Sequence, residues 1–302
     1  MDPDPGRLGP PQLPQGLTGP ATGRAAATAG CDRVSPVPRA ARKRRMPVID
    51  VLQTFRLDGK TALVVGGGPG IGSSIARAYA QIGANVVVSA RSGERMAALA
   101  KDIRADGGKA IGVASDASRK EDLEQLVETA RKEFGPIHIL FFNAYTGPLP
   151  ITDDLFSTTD EHFEAAFTLN MLAPFRLAKL VVPDMKAEGY GSIINLLTCA
   201  AFTPILPQIA YGSTKSGLHM LTRYLAKAVG PDVRANCICP GSMSPDGVTH
   251  PAFARHVSAN AIARTGRSDE VIGAAVLLAS PASTYTTGQV IFCEGGRVGT
   301  IS

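Results

Sequence analysis

Apolar and polar positions alternate in blocks along most of the chain. Short runs of aliphatic and β-branched residues, TALVVG, NVVVSA, KAIGVAS and IHILFFN, are each followed by a longer stretch in which apolar residues recur every three or four positions. Those stretches include IGSSIARAYAQIG, ERMAALAKDIRADG and KEDLEQLVETARKEFG. Continuous apolar runs fit strands buried on both faces, and the helical period fits amphipathic helices. The rhythm continues through a helical region at about 159–187, SIINLLT, a helix carrying Tyr211, VRANCICP and QVIFCEGG, for seven strands in all. Strands separated by helices pair in parallel through right-handed crossovers. The pattern predicts an α/β fold, a doubly wound seven-stranded parallel sheet with helices on both faces, in a single domain over residues 46–302. Segment 242–265 breaks the rhythm with Ser, Met, Pro, Gly and His before a short helix, where a connection of a few residues would suffice. It reads as a substrate lid.

Composition changes the picture mainly at the start. Residues 1–45 hold eight Pro, six Gly and the basic run ARKRR, with few large apolar side chains, so they are expected to be a disordered extension, with Met46 as the natural start preferred over an organellar transit peptide, for which serine is scarce and no amphipathic period occurs. They also carry eight Lys/Arg against three Asp, which accounts for the whole net charge of +5. Residues 46–302 are neutral, which gives no reason to expect nucleic acid or an anionic membrane as a partner. No apolar run long enough for a secretory signal or a membrane-spanning helix occurs. The five cysteines show neither CxxC spacing nor a histidine cluster, which argues against a disulfide framework and against any metal site. Cys237 and Cys239 read as small apolar residues on one face of a strand. A soluble protein in a reducing compartment, the cytoplasm, is expected.

In open parallel sheets ligands bind beyond the carboxyl ends of the strands. After the first strand stands GGGPGIG, in which Gly66, Gly70 and Gly72 are spaced G-x-x-x-G-x-G. Glycines there let the main chain turn sharply, admit a pyrophosphate and present the free N–H groups of a helix start. The second strand ends VVVSARSG, with Ala90 and Arg91 where a cofactor with free ribose hydroxyls would favour a carboxylate. Arg91 can pair with a 2′-phosphate, so NADP(H) is favoured over NAD(H).

Tyr211 and Lys215, four apart in YGSTKSGLHML, share one face of a helix. A phenol ordinarily titrates near pH 10, and lowering it by three units takes about 4 kcal/mol of preferential stabilisation of the phenolate. An ammonium one turn away is expected to help supply that, making the tyrosine a usable acid and base.

With GGGPGIG, Asn170 in FTLNMLAPF, Tyr211 and Lys215 in order, residues 55–298 resemble the short-chain dehydrogenase/reductase family in its single-domain form. The resemblance implies a Rossmann fold, a nicotinamide cofactor, and hydride transfer to or from a carbonyl or alcohol carbon in a homotetramer or homodimer. By the same resemblance Gly66, Gly70, Ile71 and Gly72 form the cofactor loop and Asp116 and Ala117 stand near the adenine. Asn143 and Ala144 belong to the NNAG motif, and Pro240 and Gly241 to the turn beside the nicotinamide. Tyr211 would be the general acid/base and Lys215 would also bind the nicotinamide ribose. Asn170 would hold a relay water, and Thr198 would take the place of the family serine. Phe142 and Tyr145 flank Asn143 and Ala144 where the family prefers Asn and Gly, Val65 replaces a threonine, and Pro245 stands where a threonine often contacts the carboxamide.

The expected activity is NADP(H)-dependent reduction of a ketone or oxidation of a secondary alcohol. Phe202, Ile205, Leu206, Met243 and Phe253 point to a moderately apolar small-molecule substrate. An enoyl or dienoyl thioester reductase is the alternative of the same class. The altered motif positions would also suit a cofactor-binding regulatory protein with little turnover.

Overall fold

The computed structural model describes residues 49–145, 155–206, 208–251, 254–258 and 260–298. The extension expected over residues 1–45 lies outside them. In chain order the strands are β1 (Thr61–Val65), β2 (Asn85–Ala90), β3 (Lys109–Ala114), β4 (Ile139–Phe142), β5 (Gly191–Leu196), β6 (Val233–Pro240), β7 (Met243–Ser244), β8 (Gly266–Arg267) and β9 (Val290–Cys293). The helices are α1 (Val51–Thr54), α2 (Ile71–Gln81), α3 (Gly93–Ala105), α4 (Lys120–Phe134), α5 (Asp160–Phe167), α6 (Ala173–Ala187), α7 (Ile209–Val229), α8 (Ala254–Ser258) and α9 (Ile272–Ala279).

Seven strands form one sheet in the order β3-β2-β1-β4-β5-β6-β9, parallel throughout, as the alternation predicts. Successive side chains of a strand point to opposite faces, and both faces are covered. Val64, Val88, Phe141 and Ile194 pack on one side with Ile75 and Tyr79 of α2, Met96 of α3 and Leu278 of α9. Leu63, Val87, Phe142 and Ile193 pack on the other with Leu126 of α4 and Leu177 and Val181 of α6. Fully burying a side chain of this size contributes about 1.5–3 kcal/mol, so these two layers hold the sheet rigid beneath the strand ends.

Helices α5 and α6 are one continuous helix interrupted by a π turn at Thr168–Leu172. By length and composition Asp160–Ala187 is apolar enough to cross a membrane. One face of it packs on the protein's own interior, where Ala173, Leu177, Val181 and Met185 are buried, while Phe163, Phe167 and Phe175 are exposed. The connection after β6 forms a small parallel ladder of β7 with β8 and carries α8.

The chain leaves β1 toward β2 and β3 on one side, and β4 begins the other half of the sheet on the far side of β1. The loops after β1 and β4 therefore diverge and leave a crevice at the carboxyl edge.

Candidate active site

The loop after β1 forms one wall of that crevice. Gly66 and Gly67 donate their N–H groups to the carbonyl of Ser89 at 2.8 and 2.9 Å, bringing the loop over the end of β2. Gly70 is the N-cap of α2 with φ 113°, a conformation closed to most L side chains, and no side chain caps the helix start. A Cβ on Gly72 would come within 2.1 Å of the Gly66 carbonyl oxygen, so the first turn of α2 lies directly on the loop. Asn143, at the end of β4, donates from Nδ2 to that same oxygen at 2.5 Å, and the N–H groups of Asn143 and Ala144 reach the Val65 carbonyl at 2.8 and 3.0 Å. Gly66, Gly70, Ile71, Gly72, Asn143 and Ala144 thus converge on an uncapped helix start. Such a cradle suits a dinucleotide pyrophosphate.

Arg91 follows β2 and is exposed, and Ser92 behind it caps α3 by accepting from the Arg95 N–H at 3.4 Å. Asp116, after β3, accepts hydrogen bonds from the Ser118 N–H at 2.9 Å and the Ser118 hydroxyl at 2.7 Å. Burial pushes its carboxyl up, but those bonds and the charges of Arg91 and Arg119 outweigh it and hold the group below its usual range. Ala117 is buried next to it.

Beyond β5 and β6 the crevice deepens into a cavity of about 370 Å³ bordered by Asn143, Tyr145, Thr198, Tyr211, Lys215, Pro240 and Gly241. Tyr211 and Lys215 lie on α7 one turn apart. Thr198 borders the same cavity as Tyr211, and the Tyr145 ring stands 6.0 Å from the Tyr211 ring at 57°. Lys215 is 1% exposed, and its Nζ donates to the Leu196 carbonyl at 2.7 Å. Asn170, in the π turn and fully buried, donates from Nδ2 to the Thr214 hydroxyl at 3.0 Å, and its Oδ1 has no hydrogen-bond partner.

The electrostatics differ from the expected tuning. By area Tyr211 is only half-buried, yet its hydroxyl is crowded by protein atoms, and burial first, then the neighbouring Tyr145 phenol, push it above its ordinary value. The neighbouring Thr198 hydroxyl pulls the other way and is outweighed. Burial pushes the Lys215 ammonium down to about 7. From its spacing alone the lysine is expected to set a full positive charge beside the phenol, but a side chain withdrawn this far from water gives up its proton easily. The protein alone therefore supplies less than the expected stabilisation of a phenolate.

Other sequence expectations meet mixed outcomes. Ile205, Leu206 and Met243 border the cavity, as does Pro245. Phe202 does not: it stacks on Phe292 at 4.9 Å and His219 at 5.2 Å. Phe253 lies outside the described residues. Cys237 and Cys239 are buried together with Cys199, as apolar residues would be, and the described residues hold no cluster of potential metal ligands. Sequence reasoning missed Gln208, Ser268 and Arg297, which border the cavity but sit in no motif.

A doubly wound sheet with an uncapped glycine cradle and a Tyr-Lys pair at its carboxyl edge defines a dinucleotide-dependent oxidoreductase domain. The family model described as "Enoyl-(Acyl carrier protein) reductase" matches residues 66–297. The 7alpha-hydroxysteroid dehydrogenase of Escherichia coli strain K12 is 32% identical over 250 residues, spanning 81% of this chain and 96% of that protein. Dehydrogenase/reductase SDR family member 4 of Bos taurus is 33% identical over 260 residues, spanning 84% and 92%. A solved gluconate 5-dehydrogenase from Burkholderia cenocepacia, in complex with NADP and tartrate, superposes with TM-score 0.77 at 30% identity, covering 83% of this chain and 99% of that one. A 7 alpha-hydroxysteroid dehydrogenase complexed with NADH and 7-oxo glycochenodeoxycholic acid gives TM-score 0.76 at 31% identity, covering 82% and 98%. The chain belongs to the short-chain dehydrogenase/reductase family of oxidoreductases, which use a nicotinamide nucleotide.

Proposed function

We propose that the protein is an NADP(H)-dependent reductase or dehydrogenase acting on a ketone or secondary alcohol, with Tyr211 as the general acid and base. The observation that carries this reading is that Thr198, Tyr211 and Lys215 border one cavity at the carboxyl edge of the sheet. Two hydroxyls that border one cavity can both reach one substrate oxygen.

A nicotinamide nucleotide held by the glycine cradle would supply the hydride chemistry when bound. The chain's own groups handle the oxygen. In reduction, the Tyr211 hydroxyl donates its proton to the carbonyl oxygen while the Thr198 hydroxyl orients that oxygen by a second hydrogen bond. A phenol with a raised pKa is fully protonated at neutral pH, which suits this direction. In oxidation, the phenolate must form first, and a positively charged ring bound nearby would favour it. Lys215, neutral in part near pH 7, can exchange a proton, and because it bonds the Leu196 carbonyl and not Tyr211 it would pass that proton through an intervening group. A water bonded to the free Oδ1 of Asn170 would resupply it.

Arg91 supports the NADP(H) preference, since it is exposed at the end of β2 with Asp116, not a neighbouring carboxylate on its own loop, as its nearby acid. Segment 242–265 is proposed to close over substrate, because Ser242, Met243 and Pro245 at its start border the cavity. A homotetramer or homodimer is supported by Phe163, Phe167 and Phe175 on the helix of α5 and α6 and by Met220 and Tyr224 on α7, all exposed.

The test is a panel of ketones, secondary alcohols and an enoyl thioester assayed with NADPH or NADP+. Turnover of a ketone that falls at least about 100-fold in Tyr211→Phe, with NADPH still bound, is expected. Turnover of the thioester alone would move the protein to the enoyl reductases. Cofactor binding with no turnover across the panel would make it a regulatory protein.

A further inference from the structure

One half-buried cation borders the cavity and is used by nothing described so far. Arg297 lies in the turn after β9, and its guanidinium has no ion pair or hydrogen bond among the described residues.

The turn is built to place it there. Gly295 and Gly296 have φ of 71° and 83°, which folds the chain back toward the cavity after β9. Glu294, 8% exposed, accepts the N–H groups of Arg297 and Val298 on Oε2, the latter at 2.8 Å. Val298 then packs on the cluster of Leu197, Cys199, Leu218, Cys237 and Cys239. The nearest acid is thus committed to the main chain, and the turn is pinned on both sides.

The cavity gives the guanidinium no other partner. Among the described residues that border it, Lys215 and Arg297 are the only charged ones, and no Asp or Glu is present. Lys215 is held by the Leu196 carbonyl at 2.7 Å. Arg297 borders the cavity together with Thr198 and Cys199, the residue after it. Ile205, Leu206 and Met243 give the same cavity apolar lining. A planar cation with unused donors beside an apolar wall matches a carboxylate at the end of an aliphatic body.

We propose that Arg297 is a specificity residue that binds a carboxylate on the substrate, so that the site takes an oxo acid or hydroxy acid with an apolar chain. This rests on the reductase reading above. The oxygen to be reduced would meet Thr198 and Tyr211 while the acid group meets Arg297.

The experiment is a calorimetric titration of the full chain, with and without saturating NADPH, using hexanoate and its neutral match hexanamide. Because it reads binding, its outcome does not depend on whether any ketone is turned over. Wild type is expected to bind hexanoate at least about tenfold more tightly than hexanamide, the size of one hydrogen bond to a charged group. Arg297→Gln should erase the preference and Arg297→Lys, which keeps the charge, should retain part of it. Circular dichroism and NADPH affinity check that each variant is folded. Equal binding of the two probes, no binding of either, or a preference that survives in Arg297→Gln overturns the proposal. So does a loss of NADPH affinity in Arg297→Gln with the preference intact, since that would assign the guanidinium to the cofactor. Ketone turnover without any preference for acids would sink this inference alone and leave the reductase standing.

Discussion

Lys215 Nζ donates to the Leu196 carbonyl at 2.7 Å and lies 5.9 Å from the centre of the Tyr211 ring, so lysine and tyrosine meet across a ring face and not through a shared hydrogen bond. The lysine is anchored to the sheet and buried. Its charge is costly there, and its ammonium is held near 7 instead of the ordinary 10.5.

Stability should report that cost. Between about pH 7 and 10.5 the unfolded chain holds a proton that the native lysine has released, so native stability rises with pH across that window, and the full cost applies below it. The slope from one group is at most about 1.4 kcal/mol per pH unit. Urea unfolding of the cofactor-free protein at pH 7, 8 and 9 is expected to show wild type gaining on Lys215→Met at each step. Parallel curves would mean that the lysine is solvated or keeps its proton.

Tyr145 should set the alkaline side of catalysis. Its phenol is the second cause, after burial, of the raised Tyr211 value. In Tyr145→Phe the Tyr211 phenolate forms more easily, so the pH at which alcohol oxidation reaches its plateau is expected to fall. Tyr145→Gly should in addition admit bulkier alcohols. A pH profile unchanged in Tyr145→Phe would leave the ring as mere filling.

Arg91→Ala is expected to weaken NADPH binding by about tenfold or more, the scale of one charge-assisted hydrogen bond, and to leave NADH binding as it was. Fluorescence titration with both nucleotides separates the two. Equal weakening would mean that Arg91 touches a part common to both.

Gly72→Ala tests the cradle. The added Cβ would fall 2.1 Å from the Gly66 carbonyl oxygen, so the loop or α2 has to shift. A loss of about 1–3 kcal/mol in stability is expected, as for overpacking elsewhere. Nucleotide binding should fall further, because Asn143 is bonded to that same oxygen.

The sheet is legible in the sequence because its strands carry short continuous apolar runs, such as ALVV in β1, VVV in β2 and ILFF in β4, which a layer covered on both faces requires. The site is legible where its residues fall within one motif: Gly66 to Gly72 on a single turn, Tyr211 and Lys215 on a single helix. Legibility ends where the deciding contribution comes from elsewhere in the chain. The protonation of Lys215 depends on the walls around it, and Phe202 reads as a pocket residue although Phe292, 90 positions later, claims its ring. Arg297 and Ser268 reach the cavity by tertiary folding alone. The π turn at Thr168–Leu172 has no apolar signature, since the residues on either side keep their helical faces.

That turn has a consequence for how the protein tolerates change. An i to i+5 turn holds one residue more than the α-helical i to i+4 turn. Removing a single residue between 168 and 172 would restore a regular helix while Leu177 and Val181 stay against the sheet. Such a deletion would keep the scaffold and misplace Asn170, so it would separate the architecture of that helix from the relay proposed for its buried amide.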